Sequence, residues 1–169
     1  MLDARTLTTE RLRLRPLTIA DVPAITTLYS DPDVARYVGG DRLTPETIRL
    51  QTASFAEEWQ ERGYGQSAVV DRTSGEFLGR IGLRFWPNWN EVELGYVLGR
   101  HAQGRGVAFE GASAWVEWAR ASPALERLIA NIHPENTASI GLAQKLGFTF
   151  ARHDTTPSGV PTHIYELPV

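Results

Sequence analysis

Between residues 103 and 108 the chain reads Gln103-Gly104-Arg105-Gly106-Val107-Ala108, a small-residue bend followed at once by a helical pattern. Glycine lets the backbone turn sharply and bring main-chain N–H groups close to a ligand. The helix that begins here adds partial positive charge at its N-terminus, so the segment suits an anion such as a pyrophosphate. The plainer reading is a glycine-rich turn that binds nothing, and the segment alone does not separate the two. Two better-known phosphate motifs fail. Gly99 and Gly104 have the outer spacing of a Walker loop, but Arg105-Gly106 stands where Lys and Ser or Thr are required. Gly104-Arg105-Gly106 opens like a dinucleotide fingerprint, yet Phe109 takes the third glycine position and a run of strands precedes it.

Other chemistries drop out by composition. The chain has no cysteine, which removes thiolate nucleophiles, cysteine metal sites and disulfides. If an acyl group is transferred, it is not carried on a Cys thioester. The four histidines are scattered with no pair at ligand spacing, so no metal is assigned. Seventeen basic residues against twenty acidic ones leave a net charge of -3. That balance gives no concentrated basic surface and no reason to expect nucleic acid as a partner. The segment 1–9 is polar and lacks a signal peptide's apolar core, and no stretch approaches the roughly 18 apolar residues of a membrane span. The expectation is a cytoplasmic protein with no membrane partner.

The elements that must position such a bend can be read from periodicity. At 169 residues, 1–169 is expected to form one domain. Leu12, Leu14 and Leu17 alternate with Arg11, Arg13 and Arg15 as in a half-exposed strand. A helix is predicted over 18–29 behind a Thr18 cap, and another over 44–63 behind Thr44 with Pro45 at its first position. Strands follow at 64–70, 77–85 and 92–98, joined by turns at 71–75 and 86–90, so consecutive antiparallel pairing is the simplest topology. The helix after Gly104 carries Ala108, Ala112, Trp115, Val116 and Ala119 at helical spacing and ends before Pro123. A strand at 125–133, a helix at 136–146, a strand at 148–152 and a last strand at 163–167 complete the pattern. The predicted fold class is mixed α/β, a mostly antiparallel central sheet flanked by helices with a βαβ-like finish.

Four segments, in order and spanning almost the whole chain, carry a family resemblance. Gln103-x-x-Gly106-x-Ala108 resembles the pyrophosphate-binding motif of the GNAT acetyltransferases. The run His133-Pro134-Glu135-Asn136-Thr137-Ala138-Ser139 leading to Lys145-Leu146-Gly147-Phe148 resembles the branch containing ribosomal-protein-alanine N-acetyltransferases. The opening from Thr9 to Leu17 and the segment Glu93-Leu94-Gly95-Tyr96 are similar to that branch as well. The resemblance implies a GNAT fold in which two central strands splay and acetyl-CoA lies in the gap. It implies main-chain hydrogen bonds to the cofactor from Tyr96, Val97 and Leu98, and a pyrophosphate held by Gln103, Gly104, Arg105, Gly106, Val107 and Ala108. Asn136 is placed on the cofactor beyond the pyrophosphate, and Ser139 near its sulfur. The partner it implies is a peptide or small-molecule amine acceptor, and a homodimer is compatible with this branch.

Acetylating an amine needs a base, because an alkyl ammonium with a pKa of about 10.4 is almost wholly protonated at neutral pH. Glu93 is the leading candidate, directly or through a water. Its alternatives are pairing with a neighbouring strand or binding the acceptor's cation. Glu91, on the same side by alternation, is the reserve. Many GNAT enzymes protonate the leaving thiolate with a tyrosine on the last helix. Ala143 stands at that position here, so Ser139 becomes the candidate donor; local hydrogen bonding in the first helical turn is its structural alternative. Asn136 is also a natural helix cap. Glu110 is read as support for the helix dipole. Trp86 and Trp89, flanking the 86–90 turn, are candidates for the acceptor pocket, a dimer contact or a cap on the core. A non-catalytic acyl-CoA-binding module is the competing reading.

Overall fold

The computed structural model describes residues 5–169; the first four residues of the polar N-terminal segment lie outside it. Eight strands form one sheet: β1 (Leu7–Thr8), β2 (Leu12–Pro16), β3 (Gln66–Asp71), β4 (Phe77–Trp86), β5 (Glu91–Leu98), β6 (Arg127–Ile132), β7 (Thr149–Thr155) and β8 (Pro161–Pro168). Their order across the sheet is β1-β2-β3-β4-β5-β6-β8-β7. Every neighbouring pair is antiparallel except β5 and β6, which run parallel.

Among the described residues five α-helices cover the sheet: α1 (Val22–Tyr29), α2 (Pro32–Ala35), α3 (Pro45–Arg62), α4 (Val107–Arg120) and α5 (Thr137–Lys145). The sequence reading ran the first helix back to residue 18. The structure has a tight 3-10 turn over Ile19–Asp21 instead, with the Asp21 carboxylate taking the Thr18 N–H at 2.9 Å. The short helix α2 and the two-residue strand β1 were not anticipated, being too brief for any periodicity to show.

The finish also differs in detail. α4 is the crossover that makes β5 and β6 parallel neighbours, the one connection that requires a long excursion. α5 then carries the chain past a position that β8 later fills, so β7 ends at the sheet edge.

Two apolar layers sandwich the sheet. On one face Leu12, Leu14, Ile81, Leu83 and Leu94 pack with Val107, Ala112, Trp115 and Val116 of α4. On the other, Leu17, Ile25, Leu28, Ile48 and Phe55 join α1 and α3. Trp115 is 1% exposed, the core role its helical spacing predicted. Strand alternation therefore sends Leu94, Tyr96 and Leu98 of β5 toward α4, and Glu93, Gly95 and Val97 toward α1–α3.

Candidate active site

A parallel pair with a single bridging register position carries the site. Only Glu93 and Ile129 pair between β5 and β6. Beyond them the strands part, leaving main-chain groups that a closed sheet would consume. A cleft of about 520 Å³ fills the gap. Its walls bring together Glu93, Tyr96 and Val97 of β5, Ala130 to Ile132 of β6, and Asn136 and Ser139 from the start of α5. Because both strands run the same way, the turns after them and the N-termini of α4 and α5 gather at one end of the gap.

At that end the bend is built as its glycines suggested. Gly104 and Gly106 take the left-handed conformation, with φ of +71° and +74°. Nothing lies within 4 Å of where a side chain on Gly104 would begin, so the outer face of the bend is open. α3 and α5 are capped by the side chains of Thr44 and Asn136, but no side chain caps α4, whose N-cap is Gly106. Its leading N–H groups are left without a side-chain acceptor. Gln103 turns inward, its amide donating to the Leu98 carbonyl at 3.1 Å, and fixes the bend to the end of β5. The bend is braced from behind: Arg11 donates to the Arg105 carbonyl at 2.9 Å and to the Glu110 carboxylate at 2.7 Å. Glu110 also accepts from the Thr9 hydroxyl at 2.6 Å and the Arg11 N–H at 2.9 Å. Its support thus comes from tying β1 and β2 to α4, beyond the dipole effect read from sequence. Partial burial raises its pKa, but the Thr9 and Arg11 hydrogen bonds outweigh that and hold the carboxyl below its ordinary value.

Glu93 faces the cleft from the floor of the gap. Burial pushes its carboxyl up, against the pull of Arg84, the Trp86 indole and Arg80. The Trp86 indole N–H is buried and makes no hydrogen bond. The carboxylate lies across Gly95: a methyl at that glycine would sit 3.1 Å from Glu93 Oε1. Glu91 points to the same face but does not line the cleft. Its two oxygens are taken by Arg127 and, at 2.8 Å, by Arg152. Alternation gives a residue's face, not how far the gap extends along the strand. Trp86 lines the cleft, while Trp89 stacks behind it at 5.2 Å between ring centres.

The sequence reading gave Tyr96 a main-chain role only, and its side chain proves to be part of the site. The Tyr96 hydroxyl donates to the Ser139 carbonyl at 3.0 Å and accepts from the Ser139 hydroxyl at 3.0 Å. Burial pushes the Tyr96 phenol up to about 12, so it stays protonated through the neutral range. The position of the absent helix tyrosine, Ala143, is packed in the core at 1% exposure. Asn136 Oδ1 accepts from the Ser139 N–H at 3.2 Å, and so caps α5 while facing the cleft. Over the opening, Tyr37 reaches from the α2–α3 connection to stack on His133 at 5.1 Å.

Comparison with known proteins agrees with this architecture. The sequence model of the acetyltransferase (GNAT) domain matches residues 11–149. The [ribosomal protein uS5]-alanine N-acetyltransferase of Escherichia coli is 36% identical over 156 residues, covering 84% of this chain and 77% of that protein. An L-methionine sulfoximine/L-methionine sulfone acetyltransferase of Pseudomonas aeruginosa is 30% identical, covering 80% and 78%. An acetyltransferase structure from Agrobacterium tumefaciens superposes with a TM-score of 0.85 at 31% identity, covering 99% of this chain and 96% of that one. An eight-stranded sheet split at one parallel pair, with an uncapped helix at the mouth of the split, defines an acyl-CoA-dependent transferase. The chain belongs to the GNAT acetyltransferases, and acetyl-CoA is its co-substrate. The open bend and the gap fit that molecule's two ends, the first a diphosphate and the second a thioester arm. None of the helices among the described residues is long and apolar enough to cross a membrane.

Proposed function

We propose that the enzyme transfers acetyl directly to a primary amine in a ternary complex, with Glu93 as base and Ser139 as donor to the departing sulfur. The observation that carries this is their meeting in one cleft: a carboxylate from one side of the split and a hydroxyl from the other. The thioester supplies an electrophilic carbonyl and a thiolate leaving group. The residues around it do the rest. N–H groups of the bend from Gln103 to Ala108 hold the diphosphate, the free edge from Tyr96 to Leu98 aligns the arm, and Asn136 steadies it further along. Glu93, its proton affinity raised by burial, takes the proton from the incoming ammonium. Ser139, whose one O–H is given to the Tyr96 hydroxyl in the free enzyme, swings it to the sulfur when the thioester is bound.

A hydroxyl is too weak an acid to protonate a thiolate fully, so Ser139 acts by stabilising charge. Trp86 forms the acceptor side of the pocket with Trp89 behind it. The acceptor is a primary amine on a protein N-terminus or a small molecule; the names of two relatives give a ribosomal-protein alanine and L-methionine sulfoximine or sulfone. Release of free CoA thiol on adding an amine tests the reading. Binding of acetyl-CoA with no thiol release by any amine would instead mark a non-catalytic acyl-CoA-binding module.

A further inference from the structure

Beyond Glu93, the acceptor side of the cleft is lined by four guanidinium groups. Arg80 and Arg84 project from β4, and Arg36 and Arg42 from the α2–α3 connection. Glu93 is the one carboxylate facing them across the cleft. Among the described residues, no Asp or Glu lies within ion-pair distance of any of the four.

Arg80 is the most informative of them. It is only 7% exposed, and a buried guanidinium is normally paired with an anion. Here its contacts are neutral: Nε donates to the Tyr29 hydroxyl at 2.7 Å and Nη1 to Gln66 Oε1 at 2.9 Å. Tyr29 is itself fixed by donating to Gln51 at 2.9 Å, and the guanidinium lies 5.0 Å from the Phe55 ring centre. The fork is held in place by neutral partners, with no carboxylate in ion-pair contact and Glu93 acting on it only across the cleft. Arg84 stands opposite Glu93 in the strand register and is stacked 4.4 Å from the Trp86 ring centre.

Arg80 and Glu93 act on one another electrostatically across the cleft. Gln66 takes Arg80 on its oxygen, while its amide nitrogen lies 3.5 Å from the point over Gly95 that Glu93 Oε1 approaches to 3.1 Å. Gln66 thus sits beside both the guanidinium and the floor of the cleft at Gly95.

We propose that the acceptor is an amino-carboxylate, a small molecule whose amine meets Glu93 while its own carboxylate is received by Arg80 and Arg84. This rests on the acetyl-transfer reading above and narrows it. Polycationic amines are disfavoured by the same arginines, since like charges facing one another in a cleft repel.

The test compares L-amino acids with their own carboxamides, alongside spermidine, kanamycin and short peptides with acidic and neutral second residues, by CoA thiol release. The expected result for the wild type is a preference of ~30-fold or more in kcat/KM for a free acid over its carboxamide, because removing one partner of a buried charge pair costs that much or more. In Arg80→Gln the acid-to-carboxamide ratio falls toward one, and the loss appears mainly in KM. Arg84→Gln, at a less buried site, repeats the effect should Arg80→Gln fold poorly. If the arginines serve only to tune Glu93, both substrate forms lose equally and the acid limb of the pH profile moves; that outcome overturns the proposal. So does best turnover with spermidine, kanamycin, a carboxamide or a peptide, each of which leaves acetyl transfer itself intact. Thiol release with no amine at all would instead remove the reading on which the proposal rests.

Discussion

Replacing Glu93 with glutamine separates what this carboxylate does for catalysis from what it costs the fold. A positioned base typically contributes about 10²–10⁴ in rate, equivalent to about 2.7–5.4 kcal/mol. The observed loss is limited by how much free amine solution already supplies. At pH 7 an alkyl amine of pKa about 10.4 is roughly 0.04% free base, and an α-amine of pKa about 7.7 is about 17%. E93Q is expected to lose on the order of 10²-fold in kcat/KM at pH 7, with the gap closing toward pH 9.5 as the acceptor deprotonates unaided. The wild type should show an acid limb lying above the ordinary Glu value, because burial raises the Glu93 pKa.

Stability moves the other way. Between the unfolded and the raised folded pKa the native state holds more protons than the unfolded chain, so stability falls as pH rises through that window. Glutamine mimics the protonated acid, and E93Q should therefore melt higher than wild type at pH 7–8 and equal it near pH 4. Stopped thiol-release assays across pH, paired with thermal melts, read both effects. A deficit of the same size at pH 7 and 9.5, or a lower Tm at neutral pH, would refute the role given to Glu93.

Ser139→Ala and Tyr96→Phe should each lower kcat by ~2- to 13-fold, the worth of one hydrogen bond, and the double mutant should be little worse than either, because one rotor is lost in both. Steady-state rates across this double-mutant cycle check it. Gly106→Ala puts a side chain on a left-handed residue, costing about 1–2 kcal/mol, and should raise the KM for acetyl-CoA with kcat little changed. Glu110→Ala removes hydrogen bonds to Thr9 and Arg11 and should cost about 1.5–3 kcal/mol at pH 7 in denaturant titrations. Because the Glu110 pKa is depressed on folding, that contribution stands above the unfolded value and drains away as pH falls through the folded one, so mutant and wild type converge in acid.

The bend at 103–108 was legible because its chemistry is local: glycine conformations and a helix start are properties of adjacent residues. The same is true of the caps at Thr44 and Asn136 and of the burial of Trp115. What sequence could not show depends on partners far along the chain. Tyr96 gains its role from Ser139, 43 residues later, and Glu91 is withdrawn from the cleft by Arg127 and Arg152. The insertion of β8 between β6 and β7 is a choice among crossovers that short apolar runs do not encode. Arg80 and Arg84 went unremarked, although two arginines four apart in a strand of Leu, Ile, Phe and Gly did carry a signal: charge set into a segment otherwise suited to burial.

Arg11 grips both the carbonyl behind the bend and the carboxylate that anchors α4. The sheet's outer edge and the glycine bend are in this way stitched by one guanidinium across more than ninety residues of sequence. Any ligand that stiffens the bend must also quiet β1 and β2. Amide protons there should exchange with deuterium more slowly if a diphosphate seats on the bend as proposed. The far margin of the sheet thus becomes a reporter of occupancy, readable without watching the reaction.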